Sequence, residues 1–256
     1  MVIALLLIAG GAAAGAFGSL LGLGGGILIV PLLTLGFGLP LREAVGVSLI
    51  SVIVTSGAAA AVYLERRVAD LRLGMTLELF TAAGALVGAL IAFLVEERLL
   101  AALFAGLLVY SAMSMWRAGR RKGGAPDGVT GYVVRNRGRG AVASVGAGVV
   151  SALLGVGGGL VKVPVMHLVM GVPLRVATAT SNLMIGVTAS AGAIVYLARD
   201  GIDPYVAGPV AVGVFVGASI GSRAAHRVPL PQLRILFVAV LLYSAVLMIR
   251  RALAVG

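Results

Sequence analysis

A ten-residue motif occurs twice in this chain and brings its surroundings with it. Gly22–Pro31 reads GLGGGILIVP and Gly155–Pro164 reads GVGGGLVKVP, an offset of 133 residues (155 − 22). The offset holds without a gap between Gly15–Arg117 and Gly148–Arg250, and more than a third of the aligned positions are identical. Unrelated apolar segments with residue usage this skewed would agree at roughly one position in eight. The chain is therefore two copies of one unit. An apolar, glycine-rich, duplicated unit points first to a membrane transporter.

Composition agrees. Of 256 residues, 60% are hydrophobic and 11% charged, against about 25% charged in a soluble domain. The pattern predicts an all-α, polytopic membrane protein. With no cysteine and two histidines, neither a thiolate site nor other metal chemistry is expected, and no cofactor is expected. Met1–Phe17 lacks a basic flank and a cleavage site, and reads as the first membrane segment. The net charge of +11 sits in a few short loops. That is positive-inside topology with anionic headgroups rather than nucleic-acid binding.

Each copy contains four apolar blocks. In the first they are Val2–Phe37, Ala44–Leu64, Leu73–Val95 and Leu99–Trp116; in the second, Gly140–Met170, Ala177–Ala198, Tyr205–Ala225 and Leu233–Ile249. Residues 1–117 form the first membrane repeat, 118–139 a basic linker placed in the cytoplasm, and 140–256 the second repeat. Val2–Phe37 is too long for one span, and the part after the glycines too short for another. Two helices meeting at the glycines fit the length, giving eight to ten helical segments in all. Such a break must be buried in protein or line a wet cavity. The basic loop is Glu65–Arg72 in the first copy but Arg223–Arg234 in the second, as inverted repeats would require. Both termini then lie outside, with Arg250 and Arg251 against the trend.

The candidate site residues begin with the glycines. Gly24, Gly25 and Gly26 match Gly157, Gly158 and Gly159. Glycine lets the backbone leave helical geometry, and a helix starting there offers free N–H groups to an anion. Tight helix packing through small residues is the competing explanation. Lys162 is a cation inside an apolar run, a candidate for an anionic substrate or a lysine reaching for the interface. Ser48 matches Ser181, and with Thr180 and Asn182 these supply neutral donors. For any one hydroxyl, interhelical bonding is the alternative. His167 and Glu78 are candidates for proton coupling, each weighed against interfacial placement. Arg42 and Arg175, each two residues past a proline, are candidate anion lures or headgroup anchors. Gly217–Gly221 reads GASIG and fits a nucleophile-elbow pattern, but its copy GALVG keeps only the GxxxG packing face. A nucleotide-binding loop is excluded by the missing Lys-Ser/Thr and strand–helix context.

The paired motifs, each followed by a Pro–Leu–Arg helix start, resemble the sulfite exporter TauE/SafE family of membrane transporters. The stretch Arg175–Pro204, RVATATSNLMIGVTASAGAIVYLARDGIDP, resembles the second half of those proteins. The resemblance implies transport of small sulfur oxyanions or organosulfonates, such as sulfite or sulfoacetate, across the bacterial plasma membrane, with no enzymatic activity. A related thiosulfate-transporting group relies on cysteines, which this chain lacks. The expected partners are a small anionic substrate, the lipid bilayer, a coupled proton and a second copy of the chain in a homodimer. The alternatives are a passive channel for small anions or solutes, and a non-transporting membrane scaffold subunit.

Overall fold

The computed structural model describes residues 2–21, 25–65, 69–120, 132–224 and 230–254. Among them there are helices and no strands. The first copy folds as α1 (Val2–Leu21), α2 (Gly26–Pro31), α3 (Leu41–Glu65), α4 (Leu71–Leu94) and α5 (Glu97–Arg120). The second folds as α6 (Arg137–Leu154), α7 (Gly159–Pro164), α8 (Leu174–Ala198), α9 (Pro204–Ala224) and α10 (Leu230–Ala254). A π-helical turn prolongs α2 over Leu32–Gly36 and α7 over Val165–Val169. Each turn begins after an internal proline, Pro31 or Pro164. A proline removes one rung of the helical ladder, and a wider turn absorbs the defect.

Seven helices among the described residues are long and apolar enough to cross a membrane: α1, α3, α4, α5, α8, α9 and α10. This is a multi-pass membrane protein. The short segments Gly26–Gly36 and Gly159–Val169 are about 16 Å long, roughly half of a 30 Å hydrocarbon core. Each turns back along the helix before it. Gly25 faces Ala14 while Gly10 faces Leu32; in the second copy Gly158 faces Ala147 and Gly140 faces Met170. The residues that start the short helices, Gly25 (φ 72°) and Gly158 (φ 74°), are left-handed. A side chain in that conformation is strained, so glycine is required there. Gly22, Leu23 and Gly24 lie outside the described residues, as do 66–68, 121–131 and 225–229 of the loops.

Helix directions follow from glycine contacts. Gly11 and Gly15 of α1 abut the backbone at Val210 and Val214, and Gly213 and Gly217 of α9 abut Ile8 and Ala12, so α1 and α9 run parallel. The same holds for α4 and α6, where Gly84 and Gly88 meet Val145 and Val149. A Cβ on Gly217 would collide with the carbonyl of Ala12, and one on Gly148 with that of Thr81. The GASIG stretch is thus a packing face. Helix α3 runs with α1, because Gly26 lies on Ser48 and Val52 while Gly25 lies by Thr55. Helices α3 and α8 are antiparallel, since Ile53 and Ser56 face Gly186 and Leu49 faces Gly192. Helix α4 runs parallel to α8, with Asp70 on Thr180 and Gly74 on Thr180 and Met184.

The packing exchanges one helix between the copies. Helix α4 packs most extensively on α6 and α8 of the second copy, and α9 on α1 and α3 of the first. Grouped by these exchanged contacts, α1, α2, α3 and α9 make one body and α6, α7, α8 and α4 the other, although α3 and α8 pack on each other at least as extensively as α4 does on α8. They meet along α3 and α8, and α5 pairs with α10.

Polar ties close the two ends. At one end Asp70 caps α4 through Leu73 N–H (2.9 Å), accepts from Tyr132 Oη (2.5 Å) and donates its own N–H to Thr180 Oγ1 (2.9 Å). Burial, followed by the Asp70 carboxylate beside it, raises the Tyr132 phenol well above its ordinary range. At the other end Arg42 donates to the carbonyls of Ala92 (3.0 Å) and Val95 (2.5 Å). Its donors close the C-terminus of α4, which differs from the headgroup anchor expected from its position. Arg251 is likewise used within the fold, donating to Thr34 O (2.8 Å) and Leu39 O (3.2 Å) and standing 3.5 Å from Glu97.

Candidate functional site

The two glycine turns meet. Ser48 Oγ of α3 lies 2.6 Å from the carbonyl of Gly155 and 3.2 Å from that of Gly26. A Cβ on Gly26 would stand 2.5 Å from the Gly155 oxygen. Val52 lines both turns, facing Gly26 and Gly157. Close approach of the Gly155 carbonyl therefore explains why Gly26 lacks a side chain, while a Cβ on Gly155 would press on the backbone of Val45. Ser48 has one proton, and the shorter contact takes it to Gly155.

The second turn carries the unspent polarity. Among the described residues, Ser151 Oγ and Ser181 Oγ are the buried side-chain atoms without a hydrogen-bond partner. Ser151 faces Gly158 from α6, and Ser181 faces Gly159 from α8. Val161 and Lys162 donate their N–H groups to Gly158 O. The N–H groups of Gly159 and Leu160 make no hydrogen bond among the described residues. Two hydroxyls and two amides thus lie at one buried turn with their capacity unused. An orphaned polar group in a core costs stability unless something occupies it.

One turn further on, Lys162 is 2% exposed. Its Nζ donates to Glu78 Oε2 of α4 (3.1 Å) and to Thr188 Oγ1 of α8 (2.6 Å). Thr188 donates in turn to Glu78 Oε1 (2.6 Å). Lysine and carboxylate, read separately from the sequence, form a closed triad across the copies. The ammonium keeps one N–H without an acceptor among the described residues. Lys162 and Glu78 are both buried within the protein.

The other sequence candidates lie as follows. Thr180 is committed to the Asp70 N–H. The Asn182 side chain is 5% exposed and makes no hydrogen bond among the described residues, while its backbone carbonyl accepts from Ser56 Oγ (2.6 Å). Ser56 Oγ also accepts from Gly186 N–H (3.0 Å). The hydroxyl of one body is therefore spliced into the helical ladder of the other, between the partners of an i, i+4 bond. Gly186 makes room for it, since a Cβ there would stand 2.8 Å from Ser56 Oγ. His167 is exposed, with Nδ1 2.9 Å from Val172 O, and makes no hydrogen bond to the Glu78 triad among the described residues. Gly24 lies outside the described residues. No cluster of three or more His, Cys, Asp or Glu side chains occurs among the described residues. Ser151 was missed in the sequence because its copy is Gly18; a lone serine in an apolar run was the available signal.

A multi-pass helical bundle with unspent polar groups at interrupted helices has the build of a membrane transporter. The comparisons with known proteins give the family. The sequence profile of the sulfite exporter TauE/SafE family matches residues 7–248, and the chain belongs to that family. It is similar to the "Probable membrane transporter protein YunE" of Bacillus subtilis (26% identical, 85% of this chain and 86% of that one). It is also similar to the "Probable membrane transporter protein YdhB" of the same organism (28%, 82% and 85%). A third relative, from Methanocaldococcus jannaschii, is again described as a probable membrane transporter (26%, 92% and 91%). No solved structure matches. The chain is a membrane transporter of the TauE/SafE type.

Proposed function

We propose that the protein is a secondary transporter that carries a small sulfur-containing oxyanion or organosulfonate, such as sulfite or sulfoacetate, across the plasma membrane by alternating access. The observation that carries this reading is the second glycine turn, where Ser151, Ser181 and the N–H groups of Gly159 and Leu160 stand buried and unpartnered. Neutral donors around a turn suit an oxyanion that must also leave. Lys162 supplies the nearby positive charge, and Asn182 a further free donor.

The two copies are inverted in this reading. Helix α9 runs parallel to α1, whereas its counterpart α4 runs against α1, and α3 opposes its counterpart α8. The moving units are then the two helix-exchanged bodies rather than the two sequence copies, and the seam between α3 and α8 alternates in width. Proteoliposome uptake of labelled sulfite and sulfoacetate tests the transport. Saturable uptake with counterflow is expected. Linear flux without counterflow would instead identify a channel, and no uptake of either solute would overturn the substrate class.

A further inference from the structure

We propose that Lys162, Glu78 and Thr188 form an ion-exchange site, in which the transported anion replaces Glu78 on the lysine and Glu78 takes up a proton. The inference rests on the transport reading above. Three observations carry it. The ammonium is already neutralised, so an anion can take its remaining N–H but gains its full charge only once Glu78 no longer holds it. The triad is buried, so a displaced carboxylate would be poorly solvated. The lysine also lies within reach of both positions. Its backbone N–H bonds Gly158 O, one turn from the glycines. Helical side chains lean toward the N-terminus of their helix, and the flexible four-carbon stem lets the ammonium leave Thr188 for the turn that holds Ser151 and Ser181.

Charge balance then dictates the proton. The resting triad holds one positive and one negative charge. An anionic headgroup on Lys162 would leave Glu78 as an unpaired buried carboxylate, which is strongly disfavoured. A proton from the side on which the anion arrives forms an O–H bond on Glu78 and removes that charge; with sulfoacetate, a dianion, one acid group then pairs with Lys162 and the other keeps its charge. When the anion leaves, the proton leaves and the pair closes again. No other described ionisable side chain takes part. On α4, Arg72 stands in the first turn; on α6, Arg137 and Arg139 do. His167 is turned to Val172 O, and Arg199 lies over Phe93 at the far end of α8. Thr188 is the neutral relay that holds both partners while they are paired.

The test is calorimetric titration of the purified full chain with sulfoacetate near neutral pH, where both its acid groups are ionised, in buffers of different ionisation enthalpy. Wild type is expected to take up about one proton per sulfoacetate bound. Glu78→Gln removes the competitor and is expected to bind more tightly with no proton uptake. Lys162→Met/Glu78→Gln carries no charge, keeps its helical circular dichroism, and is expected to lose binding. Wild-type binding without proton uptake, or equal uptake by Glu78→Gln, overturns the exchange and leaves the substrate reading standing. Failure of wild type to bind either sulfite or sulfoacetate overturns the substrate reading and the exchange with it.

Discussion

If the moving units are the helix-exchanged bodies, a covalent lock across α3 and α8 stops transport, and a lock within one body does not. The chain has no cysteine, so introduced pairs report without background. A Cβ on Gly186 would stand 3.0 Å from Ser56 Cβ, and a disulfide needs about 3.5–4.5 Å. A Ser56→Cys/Gly186→Cys pair therefore closes with a backbone shift of about half an ångström. A Cβ on Gly74 would stand 3.7 Å from Met184 Cγ, so Gly74→Cys/Met184→Cys also falls within reach. Both pairs join one copy to the other, but only the first crosses the seam. Losing the two Ser56 hydrogen bonds costs about 1–2 kcal/mol, so each variant is compared with its own reduced form. In proteoliposomes, oxidation of the 56/186 pair is expected to reduce sulfite uptake to the uncross-linked fraction, reversibly with dithiothreitol. The oxidised 74/184 pair is expected to keep most of its uptake. Arrest by both locks would restore rocking of copy against copy and refute the two-body assignment.

Two further outcomes test the site. Ser181→Ala and Ser151→Ala remove hydroxyls that hold no partner. The melting temperature should stay level or rise, while the uptake KM rises roughly ten- to a hundredfold, the worth of a hydrogen bond to a charged group; a fall in stability with unchanged KM would make both serines structural. Asn182 and Leu49 occupy matching positions, so exchanging their chemistry separates site from scaffold. Asn182→Leu should keep thermal stability and weaken sulfoacetate binding. Leu49→Asn buries an amide at a fully enclosed position and should cost about 1–3 kcal/mol with binding kept; equal destabilisation by both would deny Asn182 a ligand role.

Much of the scaffold was legible in the sequence. The duplication located the glycine turns, the apolar lengths gave the spans, and GxxxG repetition marked faces that do pack backbone on backbone. What stayed hidden depends on which helix lies beside which. Glu78 and Lys162 are 84 positions apart, and hydrophobic periodicity carries no address for a partner. Ser56 reads as one more hydroxyl until Gly186 is seen to open a gap for it. Arg42 and Arg251 read as membrane-edge cations, because the carbonyls they close, at Ala92, Val95, Thr34 and Leu39, belong to distant segments. The exchange of α4 and α9 leaves no trace in either copy alone.

That exchange bears on how a symmetric scaffold performs asymmetric chemistry. The positions matching Lys162, Glu78, Asn182 and Ser151 are Ile29, Ala211, Leu49 and Gly18. Three of the four polar residues come from the second copy and one from the first. Because α4 packs with α6 and α8, all four nevertheless belong to one body, and the other presents Leu49 and Val52 to it. The ion pair accordingly joins the two copies without crossing the seam. If the two bodies are the moving units, their movement leaves Lys162 and Glu78 together, and motion alone does not separate their charges. In the exchange proposed above, an anion and a proton open the pair. On that proposal opening requires a ligand, and a carrier whose charged pair responds to ligand rather than to motion would have a physical reason to bind before it moves.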